Sequence, residues 1–434
     1  MTHVAVIGGG ASGALQAVHL IRAGGGKVTL IERARVPARG VAYSTDRPEH
    51  LLNVPARRMS FYPDRPDHFT GWWSARGGDD EGYAPRMVYG DYLREQLAAA
   101  DGIEIVSGEA VDVRAGDGGE IVHLRDGRAI VADAVVLAPG NLEPAVPGRI
   151  DTEALGAAWV GDPWFGAFEE GLGDEDTIVI IGTGLTAVDT ALTLDARGFR
   201  GRILALSRRG LAPRAHEPRE PMVAPQEALP TTCTGLLRRI RRRAGEVSWR
   251  SAVHELRSVT QGLWRDASLV ERRRFLRHLR PWWDVHRHRI APAVGATIDR
   301  MKADGRLSFA AGRIVGLAPE GAGARLSWRA RGGKTVETVH AARIVNCTGP
   351  EMDIVRAGEP LLDALLASGR IRPDACRIGL DVDWELRAID VEGRASATLF
   401  AIGPMTRGTF WESVAVPDIR AQAERLAQRL ASNK

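Results

Sequence analysis

The chain has 434 residues, of which 44% are hydrophobic, so it is long enough to form two or three domains with a proper core. No apolar run approaches the roughly 18 residues of a membrane span, and the first predicted strand begins at His3 or Val4, which leaves no room for a signal peptide. The formal net charge is only +4, and the cysteines Cys233, Cys347 and Cys376 form neither a CxxC nor a zinc pattern. These features argue against a disulfide framework and a membrane span, and they predict a location in the reducing cytoplasm.

The first predicted element is a buried strand, Val4-Ala-Val-Ile7, which leads into a glycine turn and a helix. Gly8 permits the tight turn, Gly10 permits a close approach of a pyrophosphate, and Gly13 permits close packing of helix on strand. The helix N-terminus favours the pyrophosphate anion through its free N–H groups and its dipole. Glu32 follows the next strand, where an acid binds ribose hydroxyls. The sequence therefore predicts a dinucleotide site.

A second copy of this pattern begins with the strand Thr177–Ile181 and continues with Gly182-Thr-Gly184-Leu-Thr-Ala187. The strand after its helix, Arg202–Leu206, ends in Ser207, Arg208 and Arg209 and carries no acid. Two arginines at the ribose position would attract a 2′-phosphate, which favours NADP over NAD. The alternative is that both arginines are solvated surface charges.

Two sites predict two cofactors: FAD at the first, where the acid lies, and NADPH as hydride donor at the second. Two apolar strands that run into glycine turns, Val135–Gly140 and Ile344–Pro350, fall where the chain is expected to cross between two dinucleotide domains. The predicted fold is therefore α/β, with two Rossmann-like domains and a helical insertion.

The predicted FAD domain comprises residues 1–150 and 351–434 and is split around an NADP domain of residues 151–215 and 301–350. Strands are expected at Leu307–Phe309, Ile314–Leu317, Arg325–Trp328 and Val336–Val345, and a last helix at Pro417–Leu430. Residues 216–300 form the helical insertion in this division, and we expect it to be a substrate or cap region.

This insertion is strongly basic: residues 234–300 contain 16 Arg, no Lys and 6 Asp plus Glu. A basic helical patch can meet nucleic acid or anionic lipid, but neither an aromatic-interleaved motif nor a heptad pattern is present, so we expect a solvated surface. Its Trp282 and Trp283 either line a substrate pocket or anchor the insertion on the core, and the anchor is favoured. His286 and His288 are two positions apart and do not share a helical face, so no metal site is expected. His216 could reach the nicotinamide cleft, or it is an incidental loop histidine.

Several longer segments resemble a bacterial family of FAD/NAD(P)-binding proteins within the flavoproteins that have two dinucleotide-binding domains, a group that includes flavin monooxygenases, N-hydroxylases and disulfide reductases. The segments that carry the resemblance are Gly40–Tyr43, Leu51–Ala56, Arg280–Arg289, Gly403–Glu412 and Ala415–Arg420.

The resemblance implies that Asn53 lies by the flavin ring, although Asn53 could instead be only a turn residue before Val54-Pro55. It also implies that the loop before the last helix faces the flavin and stabilises its reduced form through backbone N–H groups. We assign catalytic roles to Asn53, Arg407 and Trp411. We assign cofactor binding to Gly8, Gly10, Ala11, Ser12, Gly13, Glu32, Arg33, Leu52, Asn53, Val111, Ala138, Gly140, Gly182, Gly184, Leu185, Thr186, Ser207, Arg208, Arg209, Gly349, Gly403, Thr409, Phe410 and Trp411.

The predicted function is an FAD-dependent, NADPH-using monooxygenase that acts on a small molecule with oxygen through a flavin C4a-(hydro)peroxide. The histidine-containing signature of Baeyer–Villiger enzymes is missing from Ala158–Gly166, so N-hydroxylation is favoured. The lack of a close cysteine pair argues against a disulfide reductase. Two alternatives remain: a reductase or dehydrogenase that passes electrons to a small molecule or protein, and a non-catalytic flavin-binding redox sensor. No nucleic-acid partner is expected, and the oligomeric state is left open.

Overall fold

The computed structural model describes residues 2–34, 36–148, 150–164, 166–217, 225 and 227–432. Its strands are, in chain order, β1 (His3–Ile7), β2 (Lys27–Glu32), β3 (Ile103–Ser107), β4 (Ala110–Gly116), β5 (Gly119–Leu124), β6 (Ala129–Ala132), β7 (Ala134–Leu137), β8 (Trp159–Val160), β9 (Thr177–Ile181), β10 (Arg202–Ser207), β11 (Leu307–Glu320), β12 (Gly323–Ala330), β13 (Val336–Ala341), β14 (Arg343–Asn346), β15 (Arg387–Ile389) and β16 (Ala395–Ala401). Its α-helices are α1 (Ala11–Arg22), α2 (Gly40–Tyr43), α3 (His68–Ser74), α4 (Arg86–Ala98), α5 (Thr152–Leu155), α6 (Leu185–Ala196), α7 (Cys233–Glu246), α8 (Trp249–His254), α9 (Thr260–Asp266), α10 (Leu269–Arg274), α11 (Arg280–Arg287), α12 (Pro292–Ala303), α13 (Pro360–Ala367) and α14 (Val416–Ser432).

The first sheet is built around β1, in the strand order β15-β16-β7-β1-β2-β3. β1 pairs in parallel with both β2 and β7, and its Val4, Ala5 and Val6 are fully buried. A central parallel strand is covered on both faces, which explains why its sequence is apolar without alternation. Helix α1 packs against α4 and α14, so the last helix of the chain returns to the first.

The second sheet has the order β13-β12-β11-β10-β9-β14-β8. Its strands are parallel from β8 to β11, and β11 then pairs antiparallel with β12, as β12 does with β13. Helix α6 packs against α12 beside this sheet. The second glycine motif thus joins β9 to α6 as the first joins β1 to α1, and the predicted α/β class with two Rossmann-like units is confirmed.

Strands from the beginning and the end of the chain share the first sheet, whereas β8 to β14 form the second. We propose domain limits that follow this division. The expected limit at residue 300 falls inside α12, which packs against α6 and β11. We therefore propose to count α12 with the second sheet and to end the insertion before residue 292.

Two strand predictions are wrong in detail. The segments Leu307–Phe309 and Ile314–Leu317 are one strand, β11, because pairing with β10 as far as Ala311 passes directly to pairing with β12 from Gly312. Conversely, Val336–Val345 is two strands, β13 and β14. The chain turns at Ala342, whose N–H donates to the Thr177 carbonyl at 2.8 Å.

A small antiparallel sheet, β4-β5-β6, lies beside the first sheet and is tied to the C-terminal part of the chain. The side chain of Glu120 on β5 is 1% exposed and pairs with Arg370 at 2.5 Å. Thr398 on β16 donates to the same carboxylate at 2.6 Å. This buried ion pair joins segments that are about 250 residues apart in sequence.

The insertion docks on the loop before α14 through aromatic packing. Trp264 stacks on Trp411 with ring centroids 4.8 Å apart, and its indole N–H donates to the Gly408 carbonyl at 2.8 Å. Trp283 donates to the Glu412 carboxylate at 2.8 Å, so the predicted anchoring role is confirmed for this tryptophan. Trp282 is 43% exposed and does not share this role.

Much of the insertion's positive charge is neutralised locally. Arg243 pairs with Glu246 and Glu255, and Arg274 pairs with Glu271. Within the described residues, no helix is both long and apolar enough to cross a membrane.

Candidate active site

The first glycine loop has the geometry of an anion cradle. Gly8 has φ +98°, and a Cβ there would lie 2.3 Å from the Ala138 carbonyl oxygen, while a Cβ on Gly13 would lie 1.8 Å from the Gly8 oxygen. These two glycines are therefore required by the fold itself. A Cβ on Gly10 would make ordinary van der Waals contact with the Gly40 Cα at 3.4 Å, so the fold does not forbid a Cβ there. Helix α1 begins at Ala11 with no side-chain cap, which leaves its first N–H groups available.

Glu32 lies against this loop, since a Cβ built on Gly9 would be 3.0 Å from a Glu32 carboxylate oxygen. The other carboxylate oxygen accepts the Ala34 N–H at 2.7 Å. Ser12 is buried, and a Cβ on Gly403, which has φ +75°, would be 2.7 Å from its hydroxyl. Gly403 therefore brings the end of β16 against the start of α1.

Four further residues predicted to bind the first cofactor are Ala138, Gly140, Val111 and Arg33. Ala138 is buried, and Gly140 follows it with φ +75°. Val111 is half-buried at an irregularity of β4. Arg33 is largely exposed and pairs with Glu359 at 3.2 Å, so its guanidinium has a protein partner.

The second glycine loop repeats the arrangement. Gly182 has φ +123°, and a Cβ there would lie 2.1 Å from the Cys347 carbonyl oxygen. A Cβ on Gly184 would meet nothing within 4 Å, and α6 begins at Leu185 without a side-chain cap. Gly349 has φ +86° and is likewise open on its Cβ side. Each loop thus contains at least one glycine that the packing requires and one at which a Cβ would meet no clash.

The segment after β10 carries Arg208 and Arg209, which are adjacent in sequence but have different surroundings in the structure. The Ser207 hydroxyl accepts the Gly210 N–H at 3.0 Å and is hydrogen-bonded to the Thr183 hydroxyl at 2.9 Å, which fixes the turn. Arg208 is exposed and lines an open groove, whereas Arg209 donates to the His278 carbonyl at 3.4 Å.

A cavity of about 370 Å³ lies between the start of α6, the segment around Asn53 and the insertion. Leu185 and Thr186 of α6 line it, as do Leu52 and Asn53 and the first residues of α14. His216 also lines it and donates from Nε2 to the Asn53 carbonyl at 3.0 Å. His216 thus lies at this cavity, and its approach to a nicotinamide stays a prediction.

The insertion supplies the opposite wall of the cavity, which the sequence did not predict in detail. Arg257, Arg280, Asp284, His286 and Arg287 contribute to it. Burial, and then the nearby Arg214, Arg289 and Arg250, lower the pKa of His286 to about 4. Its Nδ1 is buried without a hydrogen-bond partner among the described residues. A neutral histidine therefore faces the cavity at neutral pH.

Arg407 is 9% exposed and lines the same cavity. Burial and the charge of Arg280 lower its pKa to about 10. Its guanidinium makes a long hydrogen bond of 3.5 Å to the Asn141 side chain, and its buried Nε has no partner within the described residues. A desolvated guanidinium with an unsatisfied donor is costly unless a ligand completes it.

Other buried polar atoms of the cavity wall are also unsatisfied within the described part of the chain. They are Oδ2 of Asp418, Nε of Arg287 and Nε1 of Trp411. Burial raises the pKa of Asp418. Polar atoms that face a cavity without partners are the pattern expected of a site that binds a polar ligand.

The loop before α14 is divided between cavity and core. Trp411 lines the cavity, but its ring also packs on Trp264, so only part of it is free to cover a ligand. Thr409 donates to the Val382 carbonyl at 2.8 Å, and Phe410 packs edge-on against Trp384. Glu412 has φ +70°, which is uncommon for a residue with a side chain, and its carboxylate accepts from Trp283 and Arg287.

The segment without the Baeyer–Villiger histidine borders the cavity through Trp164, which packs edge-on against His50. Its neighbour Phe165 lies outside the described residues. Among the described residues, no group of three or more His, Cys, Asp or Glu side chains is placed to hold a metal ion.

Comparison with known proteins places this geometry in context. Residues 5–142 match a family model described as FAD-NAD(P)-binding, which confirms a dinucleotide-binding domain at the first glycine loop. The whole chain is similar to the structure of an ornithine N-hydroxylase from Kutzneria sp. 744, with 15% identity, TM-score 0.67 and coverage of 100% of this chain and 99% of the other.

It is also similar to L-lysine 6-monooxygenase from Pseudomonas syringae, with 16% identity, TM-score 0.67 and 99% of each chain covered. A thioredoxin reductase from Lactococcus lactis matches with 13% identity and TM-score 0.58 over the full length of both chains. The chain therefore has the fold of the flavoproteins with two dinucleotide-binding domains, as its glycine motifs and longer segments predict.

Proposed function

We propose that the protein is an FAD- and NADPH-dependent monooxygenase that N-hydroxylates a small amine. The observation that carries the proposal is the cavity, because the N-terminal turns of α6 and α14, Asn53 and Arg407 all line it. Likeness to amine-hydroxylating enzymes over the full chain supports it.

The residues present fit both cofactors. Gly10, Glu32 and the uncapped start of α1 would hold the diphosphate and ribose of FAD, while Asn53 and the start of α14 would lie by its ring. Gly184 and the start of α6 would hold the diphosphate of NADPH. When bound, the flavin accepts hydride from NADPH and activates dioxygen, which is chemistry that side chains do not supply.

The chain's own residues bind, orient and exclude water. Arg407 places a desolvated positive charge in the wall, where it can stabilise negative charge that develops in the cavity. Asn53 offers a neutral amide, which can hydrogen-bond without changing the charge. His286 is uncharged at neutral pH, and its unpaired Nδ1 can exchange a hydrogen bond with an amine. Trp411 lines the cavity, while Trp264 and Trp283 hold its loop against the insertion.

The decisive experiment supplies FAD-loaded protein with NADPH in air and with L-ornithine, L-lysine or cadaverine. Oxygen and NADPH consumption, hydrogen peroxide and hydroxylamine product are measured together. We expect at least one amine to accelerate NADPH oxidation and to be converted to its hydroxylamine. Hydrogen peroxide as the only oxygen product with every amine contradicts N-hydroxylation of this class.

A reductase is the second candidate, and the likeness to thioredoxin reductase favours it. The positions of the cysteines argue against a reaction by direct dithiol exchange. Cys233 and Cys347 are buried, and all three cysteines are unpaired. Rapid anaerobic NADPH oxidation with a quinone or dye, without any hydroxylated amine in air, would support the reductase. If no acceptor supports NADPH oxidation, the redox-sensor alternative is favoured.

A further inference from the structure

An open groove of about 490 Å³ lies beside the carboxyl end of β10, away from the cavity described above. Arg208 lines it together with Arg313 of β11, Arg329 of β12 and Arg331 just beyond β12. No carboxylate is among its lining residues. Within the described residues, none of these four arginines makes an ion pair or a side-chain hydrogen bond. Most other arginines of the same structure are paired, as Arg325 of β12 is with Glu320 at 3.5 Å.

The strand register makes this arrangement unfavourable for the protein alone. Arg313 lies directly opposite Arg329 in the antiparallel pair β11–β12. Like charges at directly opposed positions destabilise a sheet. Arg331, just beyond the end of β12, lines the same groove and adds a further positive charge. An anion between these side chains would remove the repulsion.

The same groove has an apolar surface beside its positive charge. The β11–β12 register jumps between Ile314 and Gly316, so Val315 is the extra residue of a bulge. Val315 lines the groove and is 47% exposed. Bulges re-aim side chains at functional sites, and an exposed branched side chain offers a surface on which a flat base can pack.

The groove is placed at the ribose end of the second dinucleotide motif. Ser207 of β10 pairs with Ala311 of β11, which brings Arg208 beside Gly312 and Arg313. The Ser207 hydroxyl is hydrogen-bonded to Thr183 of the glycine loop, so this contact ties the loop to the residue that precedes Arg208.

We propose that Arg208, Arg313, Arg329 and Arg331 form a binding site for the phosphorylated adenosine end of the coenzyme, with the 2′-phosphate between the arginines and the base on Val315. This inference rests on the proposed function, because it assumes that NADPH is the hydride donor. It assigns coenzyme preference mainly to the β11–β12 hairpin, which begins 120 residues after Ala187 at the end of the second glycine motif.

The test compares two nucleotides that differ only in the 2′-phosphate, adenosine 2′,5′-bisphosphate and adenosine 5′-monophosphate, titrated calorimetrically into FAD-loaded protein. Arg313→Ala and Arg329→Ala should each weaken the bisphosphate about tenfold or more, because each removes a charge-assisted contact. The monophosphate should change little. Arg325→Ala is the matched control, since it removes the same charge from the same strand outside the groove.

Thermal unfolding distinguishes a binding role of Arg313 from a structural one. If Arg313 stabilised the fold, its replacement would lower the melting temperature of the ligand-free protein. Without ligand, Arg313→Ala should be at least as stable as the wild type, because it relieves the repulsion from Arg329. The bisphosphate should raise the melting temperature of the wild type more than that of the variant.

Unchanged bisphosphate affinity in both variants overturns the proposal. An equal loss of affinity for the bisphosphate and the monophosphate overturns it as well. If inorganic phosphate binds in the groove as tightly as the bisphosphate does, the groove is a free-anion site and the coenzyme assignment is wrong. Neither nucleotide can donate hydride, so these outcomes are independent of oxygenase activity. Failure to hydroxylate any amine would contradict the proposed function and leave the groove result standing.

Discussion

At the scale of single residues, the glycines divide into those that the fold requires and those that face open space. A side chain at Gly13 would collide with the Gly8 carbonyl, so its replacement tests folding and not binding. Gly10 and Gly184 have room for a side chain, so their replacement tests the ligand.

We predict that Gly10→Val yields folded protein without FAD, because the valine occupies the space of the diphosphate. Gly184→Val should keep FAD and lose NADPH, since its side chain projects into the second site. The flavin-to-protein absorbance ratio measures FAD content, circular dichroism measures folding, and NADPH titration measures coenzyme binding. Each variant serves as the control for the other. A yellow Gly10→Val protein with full flavin content contradicts the first-site assignment.

Replacement of Asn53 tests whether the cavity is the catalytic site. Its carbonyl, which accepts from His216, remains in Asn53→Ala, so folding and FAD content should persist. Loss of the amide should divert oxygen to hydrogen peroxide and lower product formation by about 10²–10³, the usual effect of removing one preorganised donor. The ratio of hydroxylamine to NADPH consumed measures this uncoupling. Lower stability with an unchanged ratio would leave Asn53 as a turn residue only.

His19 predicts the acid sensitivity of the first domain. It is 4% exposed, and burial lowers its pKa to about 4 while its Nε2 donates to the Phe61 carbonyl. The unfolded chain binds a proton near pH 6.5 that the folded chain does not, so stability is full above that pH and falls as the pH drops towards 4. The loss should be about 3 kcal/mol at 1.36 kcal/mol per pKa unit.

The measurement is the melting temperature between pH 7 and pH 4. His19→Gln keeps an N–H donor for Phe61 and cannot titrate, so its melting temperature should depend less on pH. His340→Gln, on the exposed strand β13, is the control and should follow the wild type. Parallel pH curves for all three proteins would show that His19 does not contribute.

At the scale of elements, the insertion closes the cavity only while its aromatic contacts hold it on the loop before α14. Trp264→Ala removes the stack on Trp411 and should cost about 3–5 kcal/mol of local stability, as for other buried tryptophans. We expect faster hydrogen exchange in α9 to α11, retained FAD and more hydrogen peroxide per NADPH. Trp282→Ala is the control, because that side chain is largely exposed.

The elements that sequence predicts well are those with local causes. β1, β9 and the turns after them follow from apolar runs and glycines that are adjacent in the chain. The meeting of His216 with Asn53 and the facing of Arg313 by Arg329 were not predictable, because they depend on strand register and on contacts between segments far apart in sequence. For the same reason β11 was predicted as two strands, since the residues between its halves carry no local strand signal.

At the scale of the whole molecule, buried polar contacts connect the helices of the two sheets. Arg86 of α4 pairs with Asp189 of α6 at 2.9 Å, with side chains 12% and 8% exposed. His50 Nε2 lies 3.0 Å from the Thr193 hydroxyl of α6. These contacts hold the first glycine-loop domain against the second.

We predict that Arg86→Leu or Asp189→Leu alone destabilises this interface by about 3–5 kcal/mol, because each leaves a buried charge unpaired. The double variant should recover most of the loss, since no charge remains. Hydrogen exchange in α6 and urea unfolding measure the effect. Additive losses in the double variant would mean that the two side chains are not coupled.

The packing of α14 on α1 has a consequence for the biosynthesis of the protein. The helix that starts at residue 416 supplies part of the cavity wall, and β16, which ends at Ala401, pairs with β7 beside β1. During synthesis β1 and α1 can form early, but they stay partly uncovered until β16 and α14 have been translated. We therefore expect stable flavin capture only after α14 has been made, and we expect termination before α14 to leave an apolar face of α1 exposed.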